Sequence, residues 1–165
     1  MNEPWITITE SLRGELAEYG CLLRFFEDQQ NFLFRRDAAS VLRLSGEIER
    51  QVRFVHDSRS RREAAVSTFA LAQGQPGSAT LRSLLPLFAA EVRPLLEALI
   101  GEVNVLIHRV RRISRHNHIL LARTVDSHQQ ILRALQPDSF VHTYASSGRA
   151  SLTSTHQNTA LRAAG

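Results

Sequence analysis

The segment 92–135 carries the apolar spacing of one long α-helix, and this constrains the fold more than any other feature. In its first half, 92–113, apolar residues recur at alternating intervals of four and three, the spacing of a coiled-coil seam. Beyond that point the same register meets Asn117, Thr124 and Ser127. The apolar residues shift instead to Leu121, Val125, Leu132 and Leu135. Such a helix has apolar side chains on more than one face, more than a single neighbouring helix is expected to cover.

Two other long helices precede this segment. The first is predicted at about 9–35, with Thr7 and Glu10 at capping-box spacing and a stripe of apolar residues at helical intervals. The second is predicted at 38–72, with Asp37 as its N-cap. Because only a short turn joins them, an antiparallel helical hairpin is expected.

A Gly- and Pro-containing linker, 73–77, ends the second helix and leads to the third. The third helical region is predicted at about 79–136, with a start or kink at Pro86, Pro94 or both. Pro137 ends it. The predicted fold is therefore all-α: an elongated antiparallel hairpin plus a long third helix, packed as a three-helix, coiled-coil-like bundle over residues 1–137.

Residues 138–165 are predicted to form a flexible, mostly disordered tail. The segment is rich in Ser, Thr, Asn and Gln, and large apolar residues are sparse in it. No sustained alternation of apolar and polar residues predicts a strand anywhere in the chain.

Charge, cysteine content and apolar run length indicate the compartment in which the protein is expected. All 20 basic residues are Arg; residues 1–75 hold 10 Arg against 11 acids and residues 76–165 hold 10 against 5, giving the net charge of +4. The single cysteine, Cys21, cannot form an internal disulfide, which fits a reducing compartment. The N-terminus has no basic region followed by an apolar one, and no apolar run approaches 18 residues, so a cytoplasmic protein without membrane insertion is expected.

The sequence predicts a protein without catalytic activity, metal or other cofactor. It has no Gly-rich phosphate loop, no Gly-x-Ser-x-Gly motif, and no Cys–His pair suited to nucleophilic catalysis. His108, His116 and His118 do not form an i, i+4 pair, so they are interpreted as solvated or partner-facing. The acids of the first two helices are interpreted as lying on exposed faces.

The order of residues near the C-terminus resembles the C-terminal third of the FlgN family, the flagellar type III export chaperones for the two hook–filament junction proteins. The residues at the family's relative spacings are His116-Asn117, Leu120-Leu121, Gln129-Gln130, Leu132, Leu135, Pro137, Tyr144 and Gly148. The chain departs from the family pattern at Ser114, His128 and Ala145, which stand where the family usually has two asparagines and a glycine.

The resemblance implies that the third helix binds the amphipathic C-terminal helical segments of hook-associated junction proteins. The implied client-binding residues are Ile113, Asn117, Leu120, Leu121, Val125, Ile131, Leu132 and Leu135. It also implies that Tyr144 docks the chaperone onto the cytoplasmic domain of the export gate. No nucleic acid is implied as a partner, and a homodimer is left open.

Several alternatives remain open on the residues alone. The apolar residues after Ile113 could simply complete the bundle core, and Asn117 could fix the register of the bundle or bond a client backbone. Tyr144 could have no role. Two rival functions are a structural coiled-coil oligomeriser or adaptor, and a nucleic-acid-binding helical protein that uses the basic face Arg109–Arg115.

Overall fold

The computed structural model describes residues 4–135 and the backbone of two strands, 140–144 and 150–154. Its elements in chain order are α1 Pro4–Phe34, α2 Ala38–Ala72, α3 Leu81–Leu84, a 3-10 helix Leu85–Leu87, α4 Arg93–Leu135, β1 Phe140–Tyr144 and β2 Ala150–Ser154. The predicted all-α class is confirmed by the helices, which make up nearly all of the described chain. The chain divides into two compact units, 1–119 and 120–165.

Helix α1 begins at Pro4, about five residues earlier than predicted. Proline suits the first position of a helix, where the missing N–H is not needed. The Thr7–Glu10 spacing is therefore not a cap: Thr7 lies inside the helix, and its carbonyl accepts a hydrogen bond from Ser11 Oγ at 2.8 Å.

A tight turn reverses the chain between α1 and α2. At the end of α1, Asp37 N–H donates to Phe32 O and Arg36 N–H to Leu33 O, the paired bonds of a Schellman motif. Arg36 occupies the left-handed region at φ 58°. Asp37 then caps α2 as predicted, because its carboxylate accepts a bond from the Ser40 N–H at 3.0 Å.

Helices α1 and α2 pack along a buried apolar seam. The buried apolar residues of this pair are Ile8, Leu12, Tyr19, Leu22, Leu23, Val41, Ile48, Val55, Val66, Phe69 and Ala70. Gln51 also joins the helices, since its Nε2 donates to the Glu18 carbonyl at 3.0 Å and to the Glu18 carboxylate at 2.6 Å.

An ion pair lies within the α1–α2 seam. Glu15 is fully buried, and its carboxylate accepts a hydrogen bond from Arg62 Nε at 2.5 Å. The interpretation of the α1 acids as exposed is thus wrong for Glu15. Burial, followed by the negative charge of Glu15, raises the pKa of nearby Tyr19. Gly14 faces α2 here, where a Cβ would lie 3.5 Å from Ser58 Oγ.

The third helical region is not one continuous helix from residue 79. Thr80 caps α3, the 3-10 helix contains Pro86, and a bend follows before α4 starts at Arg93. Phe88 in the bend stacks on Phe69 of α2 with ring centroids 4.2 Å apart. The Arg93 guanidinium bonds the Pro86 and Phe88 carbonyls, each at 2.9 Å, which closes the bend.

The first half of α4 buries the stripe that its spacing predicts. Leu96, Leu99, Val103 and Val110 are buried, and Leu106 and Ile113 pack half-buried against the same core. Pro94 is the second residue of the helix, where its lack of an N–H is tolerated.

Strands β1 and β2 pair in antiparallel register, from Phe140 opposite Ser154 to Tyr144 opposite Ala150. The sequence predicts no strand here, so this pairing is a correction. Phe, Val, Thr and Tyr in 140–144 all favour strands, although the run is short and does not alternate. Residues 1–3, 136–139, 145–149 and 155–165 lie outside the described part of the chain. Of the tail predicted at 138–165, the structure therefore describes only the two strands.

Candidate functional site

The second half of α4 exposes large apolar side chains to solvent. Within unit 120–165, the exposed fractions are 53% for Val125, 58% for Ile131, 50% for Leu132 and 73% for Leu135. Leu120 and Leu121 are half-buried. We call residues 120–135 the apolar segment. An exposed set of this kind on one helix marks an interaction surface when it is not part of a core.

The apolar segment continues the buried stripe of α4 at helical spacing. Steps of three, four and seven residues connect Val103, Val110 and Asn117 with Leu121, Val125, Leu132 and Leu135. The residues up to Asn117 are buried and the last three are exposed. The stripe is thus buried within unit 1–119 and largely exposed within unit 120–165.

Asn117 stands at this change and is 1% exposed. Its Nδ2 donates to the Phe26 carbonyl at 2.8 Å and to Gln29 Oε1 at 3.0 Å, and its Oδ1 accepts from Gln30 Nε2 at 3.1 Å. All three partners lie on α1. A buried amide with every bond made to one neighbouring helix fixes the register between the two helices.

The amide network extends to both sides of Asn117. Gln30 Nε2 also lies 2.9 Å from His116 Nδ1, and Gln29 Nε2 donates to Ser45 Oγ on α2 at 3.5 Å. A polar layer therefore crosses from α4 through α1 to α2, just before the apolar segment begins along the chain.

A comparison with protein-family models matches residues 6–151 to the model described as FlgN protein. The chain belongs to the FlgN family. The match runs from α1 to the second residue of β2 and covers 146 of the 165 residues, counting 6 to 151 inclusive. Comparison with curated proteins and with solved structures finds no match.

Two of the client-binding residues inferred from the FlgN resemblance lie in the bundle. Asn117 makes its side-chain hydrogen bonds to α1, which is the contact that the register interpretation predicts, and its client-binding role stays a prediction. Ile113 packs half-buried against the core, because it still follows the four-three spacing. Leu120, Leu121, Val125, Ile131, Leu132 and Leu135 remain as a set within one unit of the chain.

The predicted gate-docking residue of the FlgN-family tail, Tyr144, is the last residue of β1, and its Cα pairs with that of Ala150. This backbone placement differs from the disordered tail that the sequence predicts. The docking role of Tyr144 stays a prediction.

Sequence reasoning missed a second apolar surface of this FlgN-family chain, within unit 1–119. An open groove of about 520 Å³ lies between α1 and α4, lined by Leu16, Ala98, Gly101, Glu102, Val105 and Leu106. Val105 is 58% exposed. Only the small residues Ala98 and Gly101 hint at it, and such residues are common on exposed helix faces.

Across the described residues, no group of His, Cys, Asp and Glu is arranged to hold a metal ion. No described helix is long and apolar enough to span a bilayer.

Proposed function

We propose that this protein is a cytoplasmic flagellar export chaperone. It binds the amphipathic C-terminal helical segments of hook-associated (hook–filament junction) proteins, prevents their premature assembly or aggregation, and delivers them to the type III export gate. The observation that carries the proposal is the exposed apolar segment of α4 in a chain of the FlgN family.

Helix-in-groove recognition accounts for client binding by such a segment. An amphipathic client helix cannot bury its apolar stripe before it assembles, and the exposed leucines, isoleucine and valine of α4 offer a temporary cover. Four side chains that are half or more exposed stand to gain about 1 kcal/mol each on burial, and the client gains a similar amount. Because ordering two chains removes much of this sum, binding stays reversible, as release before export requires.

The exposed fractions favour client binding over the reading in which these residues complete the core. Core residues of α4, such as Leu96 and Val103, are 5% exposed or less. Val125, Ile131 and Leu132 are exposed by half or more. A side chain left half in water contributes only about half of what its full burial would contribute.

The proposal includes delivery to the export gate through Tyr144. A single tyrosine can anchor a weak, fast interaction because its ring buries a large area while few rotatable bonds are fixed. Tyr144→Ala is expected to spare client binding and to weaken binding to the cytoplasmic domain of the gate. Equal gate affinity of variant and parent would contradict the anchor role.

The client site is tested with a triple variant, Val125→Ser, Leu132→Ser and Leu135→Ser. Its matched control is Leu42→Ser, Phe54→Ser and Leu71→Ser, which removes three exposed apolar side chains from α2. Both proteins are mixed with the C-terminal segments of the junction proteins, and complex formation is measured by titration calorimetry.

The α4 variant is expected to lose binding at least about a hundredfold, since about 3 kcal/mol of apolar contact is removed. The α2 control should bind like the parent, and both should keep the helical circular dichroism of the parent. Unchanged binding by the α4 variant would place the client site elsewhere, with the α1–α4 groove as the next surface to mutate.

A further inference from the structure

A basic strip runs along the solvent-facing side of α4 in unit 1–119. Its members are His108, Arg109, Arg111, Arg112, Arg115 and His118, and all six are exposed. At 100° per residue they cover about half of the helix circumference, opposite the buried Val103 and Val110. No acidic residue occurs between Glu102 and the end of this unit.

The charge of the strip is largely uncompensated. Arg109 has one ion pair, to Glu27 of α1 at 3.8 Å, and both side chains are about half exposed. Arg111, Arg112 and Arg115 have no ion pair within 4 Å among the described residues. By contrast, α2 pairs its Arg50, Arg59 and Arg62 with carboxylates.

We propose that the basic strip is an interaction surface for an acidic polypeptide segment. A guanidinium presents parallel N–H donors that match the two oxygens of a carboxylate, so three neighbouring arginines can bind successive Asp or Glu side chains in a bidentate way. The strip is about 15 Å long, because its ten residue steps rise about 1.5 Å each. That length matches about three turns of an acidic helix.

The charges beside the strip favour a single polypeptide segment over a nucleic-acid duplex. Helix α1 holds five acids against two arginines, a net charge of −3, and its Glu27 reaches the edge of the strip at Arg109. A polyphosphate wider than one helix would meet this acidic neighbour and be repelled. A single peptide chain lying along α4 avoids it.

The inference goes beyond the proposed function, because it concerns a charged surface on a different part of α4 from the apolar segment. Its test is independent as well. A strip variant that loses an acidic peptide while keeping junction-protein segments separates the two surfaces, and so does the reverse result for the apolar-segment variant.

The test uses the full chain and two fluorescein-labelled probes at low ionic strength. One is a peptide of repeating Ala-Glu units, about 16 residues long to exceed the strip, and the other is a single-stranded oligo-dT of similar length. The strip variant is Arg111→Gln, Arg112→Gln and Arg115→Gln. Its control is Arg43→Gln, Arg53→Gln and Arg61→Gln, three exposed arginines of α2 without an ion pair among the described residues.

The parent is expected to bind the acidic peptide more tightly than oligo-dT, with affinity that falls as salt is added. The strip variant should raise the Kd for the peptide at least about tenfold, and the control less than about threefold. A strip variant with lysines in place of the three arginines should have a Kd for the peptide between those of the parent and the Gln variant, since lysine keeps the charge but lacks the parallel N–H donors of a guanidinium.

Three outcomes overturn the proposal. Equal loss in the strip and control variants would mean that only net charge matters. Tighter binding of oligo-dT, lost in the strip variant, would identify a nucleic-acid surface instead. Absence of any binding to the acidic peptide at low salt would leave the strip as a solvated face.

Discussion

Replacing Asn117 by Ala tests whether the amide network holds α4 in register. The side chain is 1% exposed and makes three hydrogen bonds to α1. The variant loses all three. It also leaves Gln29, which is only 6% exposed, with an amide oxygen that no longer accepts from Asn117. Gln30 is half-buried, so water can replace its lost partner.

The expected loss of unfolding free energy follows from these contacts. Each neutral hydrogen bond contributes about 1 kcal/mol net, and an unsatisfied buried polar group costs about 1–3 kcal/mol. The bond to Gln29 is buried, and the bonds to Phe26 and Gln30 are partly buried. We therefore expect a loss of about 2–4 kcal/mol.

Urea unfolding followed by circular dichroism at 222 nm measures this loss. The matched control is Asn104→Ala, which removes an exposed asparagine from the same helix and should change the unfolding free energy by less than about 0.5 kcal/mol. A double-mutant cycle with Gln29→Leu and Asn117→Leu should give a coupling energy of about 1 kcal/mol or more. If Asn117→Ala costs no more than Asn104→Ala, the network does not stabilise the bundle.

Three further predictions concern the α1–α2 hairpin. Arg36→Gly should stabilise the protein by about 0.5–1 kcal/mol, because Arg36 has a positive φ that glycine adopts without strain. Gly74 occupies the corresponding position after α2, at φ 69°, so Gly74→Ala should destabilise the protein by about 1 kcal/mol. A loss of stability in Arg36→Gly would refute the strain at Arg36. The Ser40 hydrogen bonds lower the pKa of Asp37. The contribution of Asp37 to the free energy of unfolding is therefore present above its unfolded pKa of about 4 and is lost as pH falls through the lower folded pKa. Asp37→Asn should keep the cap without that pH dependence, and parallel profiles of stability against pH for variant and parent would contradict this. Arg62→Met should cost about 3 kcal/mol in urea unfolding, since Glu15 would stay buried without its cation, and an unchanged midpoint would show that the pair is dispensable.

The helices and their pairing are predictable where one physical cause dominates. The stripe 92–113 has no polar interruption, so its burial follows from spacing alone. Asp37 directly follows the turn residues Arg35 and Arg36, and its capping role needs only local geometry. Pro86 and Pro94 likewise locate the break before α4, although the sequence does not show which proline lies in a 3-10 helix.

Other features depend on contacts between distant residues. Glu15 looks like an exposed acid on its own helix, and only the arrival of Arg62 from 47 positions away makes its burial tolerable. Asn117 supports two readings in the sequence, since its partners are 87 to 91 positions away on α1. The strands at 140–144 and 150–154 are not predicted from the sequence, because each has only five residues and the sequence around them is largely polar.

The position of Asn117 bears on how one helix can be both a structural element and a binding surface. A continuous apolar stripe could slide by one heptad against α1, because successive leucines and valines present nearly equivalent surfaces. A buried amide removes that freedom, since any shift would leave three hydrogen bonds unmade. With the register fixed at Asn117, a one-heptad shift that would bring Leu120 into the place of Ile113 is disfavoured, because the amide would lose its partners on α1. If Leu120 and the leucines after it bind the client, as we propose, Asn117→Leu should weaken client binding even where the bundle stays folded.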